Sequence, residues 1–160
     1  MRNLVLFLVI LAGQGWVCAQ TPRLPSDIEL RSTYCLEILE RQKANVIRVA
    51  AAMVKSDSRS SSTAEEGVRT ALAQLAPEIR RLEAYLIPRR AYLDQMAIVT
   101  ARESAVADFN QGRSVVRVCD NKCTNLPEAS QAMACFDSCM NTTPPMNRIK
   151  ACEKVDWLPF

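Results

Sequence analysis

Histidine is absent from the 160 residues. That removes Ser-His-Asp and Cys-His catalytic arrangements, His-ligated zinc, c-type haem attachment and the usual switch near neutral pH. Glycine is scarce, with four residues in all, which excludes collagen-like and glycine-rich linker classes. Net charge is small as well: 20 basic against 17 acidic side chains give a formal +3, too weak to imply nucleic acid. Beyond the first 19 residues no run of 18 apolar residues occurs, so no membrane-spanning helix is expected. Phosphate-binding glycine loops, metal-ligating carboxylate clusters and nucleophile motifs are missing too, and no cofactor is implied. What remains is an ordinary soluble composition, 49% hydrophobic and 23% charged, of a length that suits one domain.

Met1 to Ala19 has a basic start at Arg2, an apolar run from Leu4 to Ala12 and a small residue, Ala19, after Val17-Cys18. This is the pattern of a cleavable secretory signal peptide, its apolar run too short for a bilayer-spanning helix of about 20 residues. The mature chain is expected to begin at Gln20. A lipid-modified Cys18 is the competing reading, but Gly15-Trp16-Val17 lacks the leucine and small residues of such a cleavage box. Loss of residues 1–19 removes Cys18 and leaves Cys35, Cys119, Cys123, Cys135, Cys139 and Cys152. An even number of cysteines in a chain bound for the periplasm or the extracellular space predicts three disulfides.

Residues 20–160 read as a single all-α domain: long helices over 26–112, a hairpin over 114–141 and a tail over 142–160. Ser26 and Glu29 form a capping box, and Ile28, Cys35, Leu39, Val46, Val49 and Met53 follow at helical spacings. Ser56 to Ser62 has no apolar residue and reads as a solvated loop, after which Thr63 and Glu66 repeat the capping box. Val68, Leu72, Leu75, Ile79, Leu82 and Leu86 form one amphipathic stripe, which Pro77 is expected to kink without a change of phase. Pro88 either opens a third helix or bends the second. The apolar pattern then continues through Leu93, Met96, Val99 or Thr100, and Val106, with Gly112 as the expected helix stop and Ser114 as the cap of a restart.

Cys119-Asp-Asn-Lys-Cys123 and Cys135-Phe-Asp-Ser-Cys139 are two CX3C pairs, eleven residues apart. Cysteines four apart share a helix face, and Thr124 to Glu128 supplies a turn with Asn125 placed to cap the next helix. Two antiparallel helices would set Cys119 against Cys139 and Cys123 against Cys135, each pair worth about 3 kcal/mol in the chain-entropy model. Elimination leaves Cys35 with Cys152. The twin CX3C arrangement resembles the helical hairpins of the small mitochondrial intermembrane-space chaperones. The resemblance covers Cys119 to Cys139, in a chain that adds a signal sequence and a long helical N-terminal part.

Zinc held by the same four cysteines is the alternative, disfavoured because exported cysteines pair. Thiol oxidoreductases use CXXC near a βαβ pattern rather than CX3C among helices. The arginines at 80–81 and 89–90 read as solvated residues, with Glu78–Arg81, Glu65–Arg69 and Glu37–Arg41 at ion-pair spacing. Leu126, Ala129, Met133, Phe136 and Met140 form a stripe that reads as core before it reads as a binding face. The apolar ending either folds back as a lid or presents Trp157, Leu158 and Phe160 to a partner. Asn141-Thr142-Thr143 fits a glycosylation sequon. Together these features predict an exported, non-catalytic helical protein that interacts with another protein or serves as a scaffold. The alternatives are a secreted hydrolase with paired carboxylates, or a carrier with a dry cavity between Leu72, Leu75 and Met96.

Overall fold

The computed structural model describes residues 22–55 and 62–159; the signal-like segment, Cys18, the serine-rich stretch at 56–61 and Phe160 lie outside the described residues. Among the described residues the architecture is all-α, with helices α1 (Asp27–Lys55), α2 (Ser62–Leu86), α3 (Gln95–Cys123), α4 (Ala129–Asn141) and α5 (Pro144–Lys150). Helix α1 is the centre, packing on both α2 and α3, whereas α2 and α3 barely meet. The residues after α5 fill the space between them: Cys152, Val155 and Leu158 are buried in one cluster with Leu36 and Leu39 of α1 and with Ile79, Leu82 and Leu86 of α2.

The capping box at the start of α1 is present in both directions. Glu29 Oε2 accepts from the Ser26 backbone N–H at 2.8 Å, and the Glu29 N–H donates to Ser26 Oγ at 3.4 Å. The stripe on α2 is present as well, with Ile79, Leu82 and Leu86 buried, and the helix continues through Pro77. Helix α2 already includes Ser62, so Thr63 lies inside the helix rather than capping it.

Other expectations are corrected. Pro88 neither opens nor bends a helix. Helix α2 ends at Leu86, and the chain turns through Pro88 into a short 3₁₀ turn at Arg90–Tyr92. Asp94 then caps α3, its side chain accepting from the Met96 N–H at 2.8 Å. Here the backbone of Arg23 pairs with the chain beside it, donating to the Tyr92 carbonyl at 3.0 Å and accepting from the Asp94 N–H at 2.9 Å.

Gly112 does not stop a helix, and Ser114 caps nothing: its hydroxyl donates back to the Asn110 carbonyl inside α3. The buried line on α3 is Ile98, Ala105, Gly112 and Cys119, one residue in seven, while Met96 and Val99 on the expected line are 73% and 44% exposed. Small residues occupy the true seam because α5 approaches closely there. A Cβ on Gly112 would stand 2.9 Å from Ile149 Cδ1 and 3.1 Å from Met146 Sδ.

Asn125 does not cap α4; Glu128 occupies the N-cap position without a side-chain bond to the backbone. Of the expected ion pairs, Glu37–Arg41 at 2.7 Å and Glu78–Arg81 at 3.6 Å are present, but Arg69 pairs with Glu66 instead of Glu65. Such exposed pairs add little stability.

All three disulfides connect as expected: Cys119–Cys139 and Cys123–Cys135 as rungs between α3 and α4, and Cys35–Cys152 from α1 to the C-terminal segment. Sequence separations of 20 and 12 give the rungs about 3 kcal/mol each in the chain-entropy model, against about 5 kcal/mol for the separation of 117. Replacing Cys35 and Cys152 together by serine is therefore expected to lower the urea midpoint more than replacing either rung pair. Gly112→Ala gains about 1 kcal/mol of helix propensity and loses a similar amount to crowding against two side-chain ends, so its stability should match the parent. Gly112→Leu cannot be absorbed in the same way and is expected to cost about 2–3 kcal/mol by urea unfolding.

Candidate functional site

A groove of about 540 Å³ opens on the face where α1, α3 and the C-terminal segment meet. Its apolar floor comes from Leu30 on α1, Ala97 and Ala101 on α3, Ala151, and the Cys35–Cys152 disulfide. Alanines four apart on α3 lie on one helix face, and their short side chains leave the space that larger residues would fill. The charged residues of its lining are two arginines, Arg31 and Arg148.

Each arginine is held in place. The Arg31 guanidinium lies 4.0 Å from the centre of the Trp157 ring and makes no hydrogen bond or ion pair among the described residues. Arg148 grips Asp108 in bidentate fashion, Nε to Oδ2 at 2.7 Å and Nη2 to Oδ1 at 2.6 Å, and Tyr34 Oη donates to Oδ2 at 2.7 Å. This cluster joins α1, α3 and α5 at one edge of the groove. Asp108 stays below the usual carboxylate range chiefly because Arg148 bonds it, with Tyr34 adding a second donor. Burial, and then the bond to Asp108, hold the Tyr34 phenol protonated well above its ordinary value. The Arg148 guanidinium is raised in turn by Asp108.

A second knot lies at the start of α1. Glu29, 2% exposed, takes both guanidinium nitrogens of Arg23 and the amide and hydroxyl of Ser26, with Arg89 Nε 3.9 Å away. The bond to Arg23 is the main reason that its carboxyl falls to about 2 from the ordinary 4.5. Arg89, read from the sequence as a solvated residue, turns inward onto the Tyr85 ring, 4.0 Å from its centre, and donates to the Tyr85 carbonyl.

The expected site residues fare unevenly. The six cysteines are all bonded, so none is a free thiolate. Trp157 is half-buried beneath Arg31, with its indole N–H enclosed and without an acceptor, and Leu158 is buried at 6% exposure. Leu158 is thus core, not a partner surface, while Phe160 lies outside the described residues. The methionine stripe divides: Phe136 and Met140 pack inward, but Leu126 and Met133 are 39% and 68% exposed. Met96 is exposed at the start of α3, whereas Leu75 lines a partly polar groove of about 640 Å³ with Gln74 and Glu78.

Tyr34, Asp108, Arg148 and the two alanines were missed by sequence reasoning. One signal was present: Asp108 falls on the heptad-spaced seam side of α3, where a carboxylate needs a cation, but which arginine supplies it depends on the course of the tail. No family model, curated protein or solved structure matches this chain.

The lowered Glu29 value sets a pH dependence. Because the folded value lies beneath the unfolded one, its contribution is complete above about pH 4.5 and is lost as pH falls from there toward 2. Arg23→Ala leaves the buried carboxylate short of its main partner and is expected to lower the urea midpoint at pH 7. Urea midpoints of parent and variant should draw together as pH falls from about 4.5 toward 2, as the parent's Glu29 takes up its proton.

Proposed function

We propose that this chain is an exported, non-catalytic binding protein, and that the groove between α1, α3 and the C-terminal segment is its binding surface. A signal-like start, followed by six cysteines that pair without remainder, supports export to the periplasm or the extracellular space, since such pairing suits an oxidising compartment. Among the described residues no helix is long and apolar enough to cross a membrane. The non-catalytic reading is supported by the state of the buried carboxylates. Glu29 and Asp108 are both held ionised by arginines, whereas a glycosidase pair needs one carboxyl raised to act as an acid.

The observation that carries the binding reading is the groove itself: a volume in the range of ligand pockets, an apolar floor, and a few polar groups fixed by their own partners. The disulfide frame beneath it keeps that shape without an occupant. This moves the expected interaction surface from the aromatic tail to the α1–α3 face, and the tail becomes part of the frame.

Ala101→Trp would fill the groove from α3, and Gln111→Trp adds the same ring at an exposed position of that helix that does not line it. The proteins and lipids that copurify from the native compartment are compared by mass spectrometry. An occupant retained by the parent and by Gln111→Trp but lost from Ala101→Trp, at equal thermal stability, is the expected result. Identical profiles for all three would remove the groove as the binding surface.

A further inference from the structure

The groove's occupant can be narrowed by its length and its charge. The α1 wall runs from Leu30 to Cys35 and the α3 wall from Ala97 to Ala101. At 1.5 Å of rise per residue, each wall is about 6–8 Å long. A partner helix anchored through residues i, i+3, i+4 and i+7 needs more than that. An alkyl chain of about six carbons, roughly 6 Å long when extended, does not.

The charges among the lining residues are both positive, and no aspartate or glutamate lines the groove. Arg31 is the distinctive one. It is an exposed side chain oriented over the Trp157 ring, and no carboxylate or carbonyl among the described residues accepts from it. Arg148 differs, because Asp108 already takes two of its nitrogens. An apolar floor beside an oriented cation with no anion of its own is complementary to a molecule with an alkyl body and an anionic end. The Tyr34–Asp108–Arg148 cluster, fixed by its internal bonds, also borders the groove.

Resting on the binding reading above, we infer that the groove takes a free single-chain anionic amphiphile, a medium-chain carboxylate or alkyl phosphate, with its alkyl chain against Leu30, Ala97, Ala101 and Ala151 and its headgroup at Arg31. The headgroup bond is charge-assisted, which is where selection against neutral and cationic amphiphiles arises.

The exported chain is titrated calorimetrically with hexanoate, hexyl phosphate and hexyltrimethylammonium below their micelle concentrations, and sedimented with vesicles containing phosphatidylglycerol. One-to-one binding of both anions is expected, with the cation at least tenfold weaker. Arg31→Gln should weaken the anions about 10–100-fold, the range of a lost hydrogen bond to a charged group, with Arg31→Lys recovering part of the loss. Ala101→Trp should abolish binding. Because Arg31 also stacks on Trp157, thermal unfolding of each variant is measured alongside, and a fold-preserving Arg31→Gln that binds hexanoate as the parent does overturns the headgroup assignment. Equal affinity for the cation overturns the charge selection, and binding to vesicles alone overturns the free amphiphile. If no amphiphile binds while an Ala101→Trp-sensitive partner still copurifies, this inference fails and the groove remains the binding surface.

Discussion

Cys35 and Cys152 are each 1% exposed, and the bond between them decides where the end of the chain can go. Helices α2 and α3 flank α1 but hardly touch, so without a further element the apolar faces of Leu36, Leu39, Leu82 and Leu86 would be only partly covered. The pinned segment supplies the cover through Val155 and Leu158, and the Val155 amide donates to Glu78 Oε2 of α2 at 3.2 Å. A chain of this size buries a modest core, and one long-range covalent link removes much of the unfolded ensemble that would compete with it. The rungs between α3 and α4 act differently: they stiffen a local hairpin whose ends were already close in sequence.

Two buried carboxylates complete what the disulfide begins. Glu29 ties the segment before α1 to the first turn of that helix and comes near the turn after α2 through Arg89. Asp108 ties α3 to α1 through Tyr34 and to α5 through Arg148. Each is surrounded by donors, as an ionised group must be once it leaves water. The result is a face on which the groove's walls belong to three separate elements, tied to one another by bonds of the lining residues themselves, the Cys35–Cys152 disulfide and the Tyr34–Asp108–Arg148 cluster. Preorganisation of this kind lowers the cost of ordering a site when a ligand arrives.

Several features were legible from residue order. Four-residue cysteine spacing on helices leads to the two rungs, and Ser26 with Glu29 leads to the start of α1, because both depend on contacts within a few turns. The phase of α3 was not legible. Hydrophobic periodicity favours the line through Met96 and Val99, but the buried seam runs through Ala105 and Gly112, residues with almost no hydrophobic signal of their own. Gly112 is buried where α5 needs the room, as the 2.9 Å approach of Ile149 to a would-be Cβ there shows. The same cause hid the groove, whose floor is largely alanine.

Residue order alone therefore dictates the helical class, the hairpin and its rungs, the pairing left for Cys35, and the capped entry to α1. These follow from local geometry and from counting sulfurs. The tertiary arrangement decides that Leu158 is core, that Arg89 turns inward, that Asp108 meets Arg148 forty residues away, and that an apolar groove lies beside Arg31. Each of those depends on which helices are neighbours and how closely they approach, and small side chains permit a close approach without announcing it in the hydrophobic pattern.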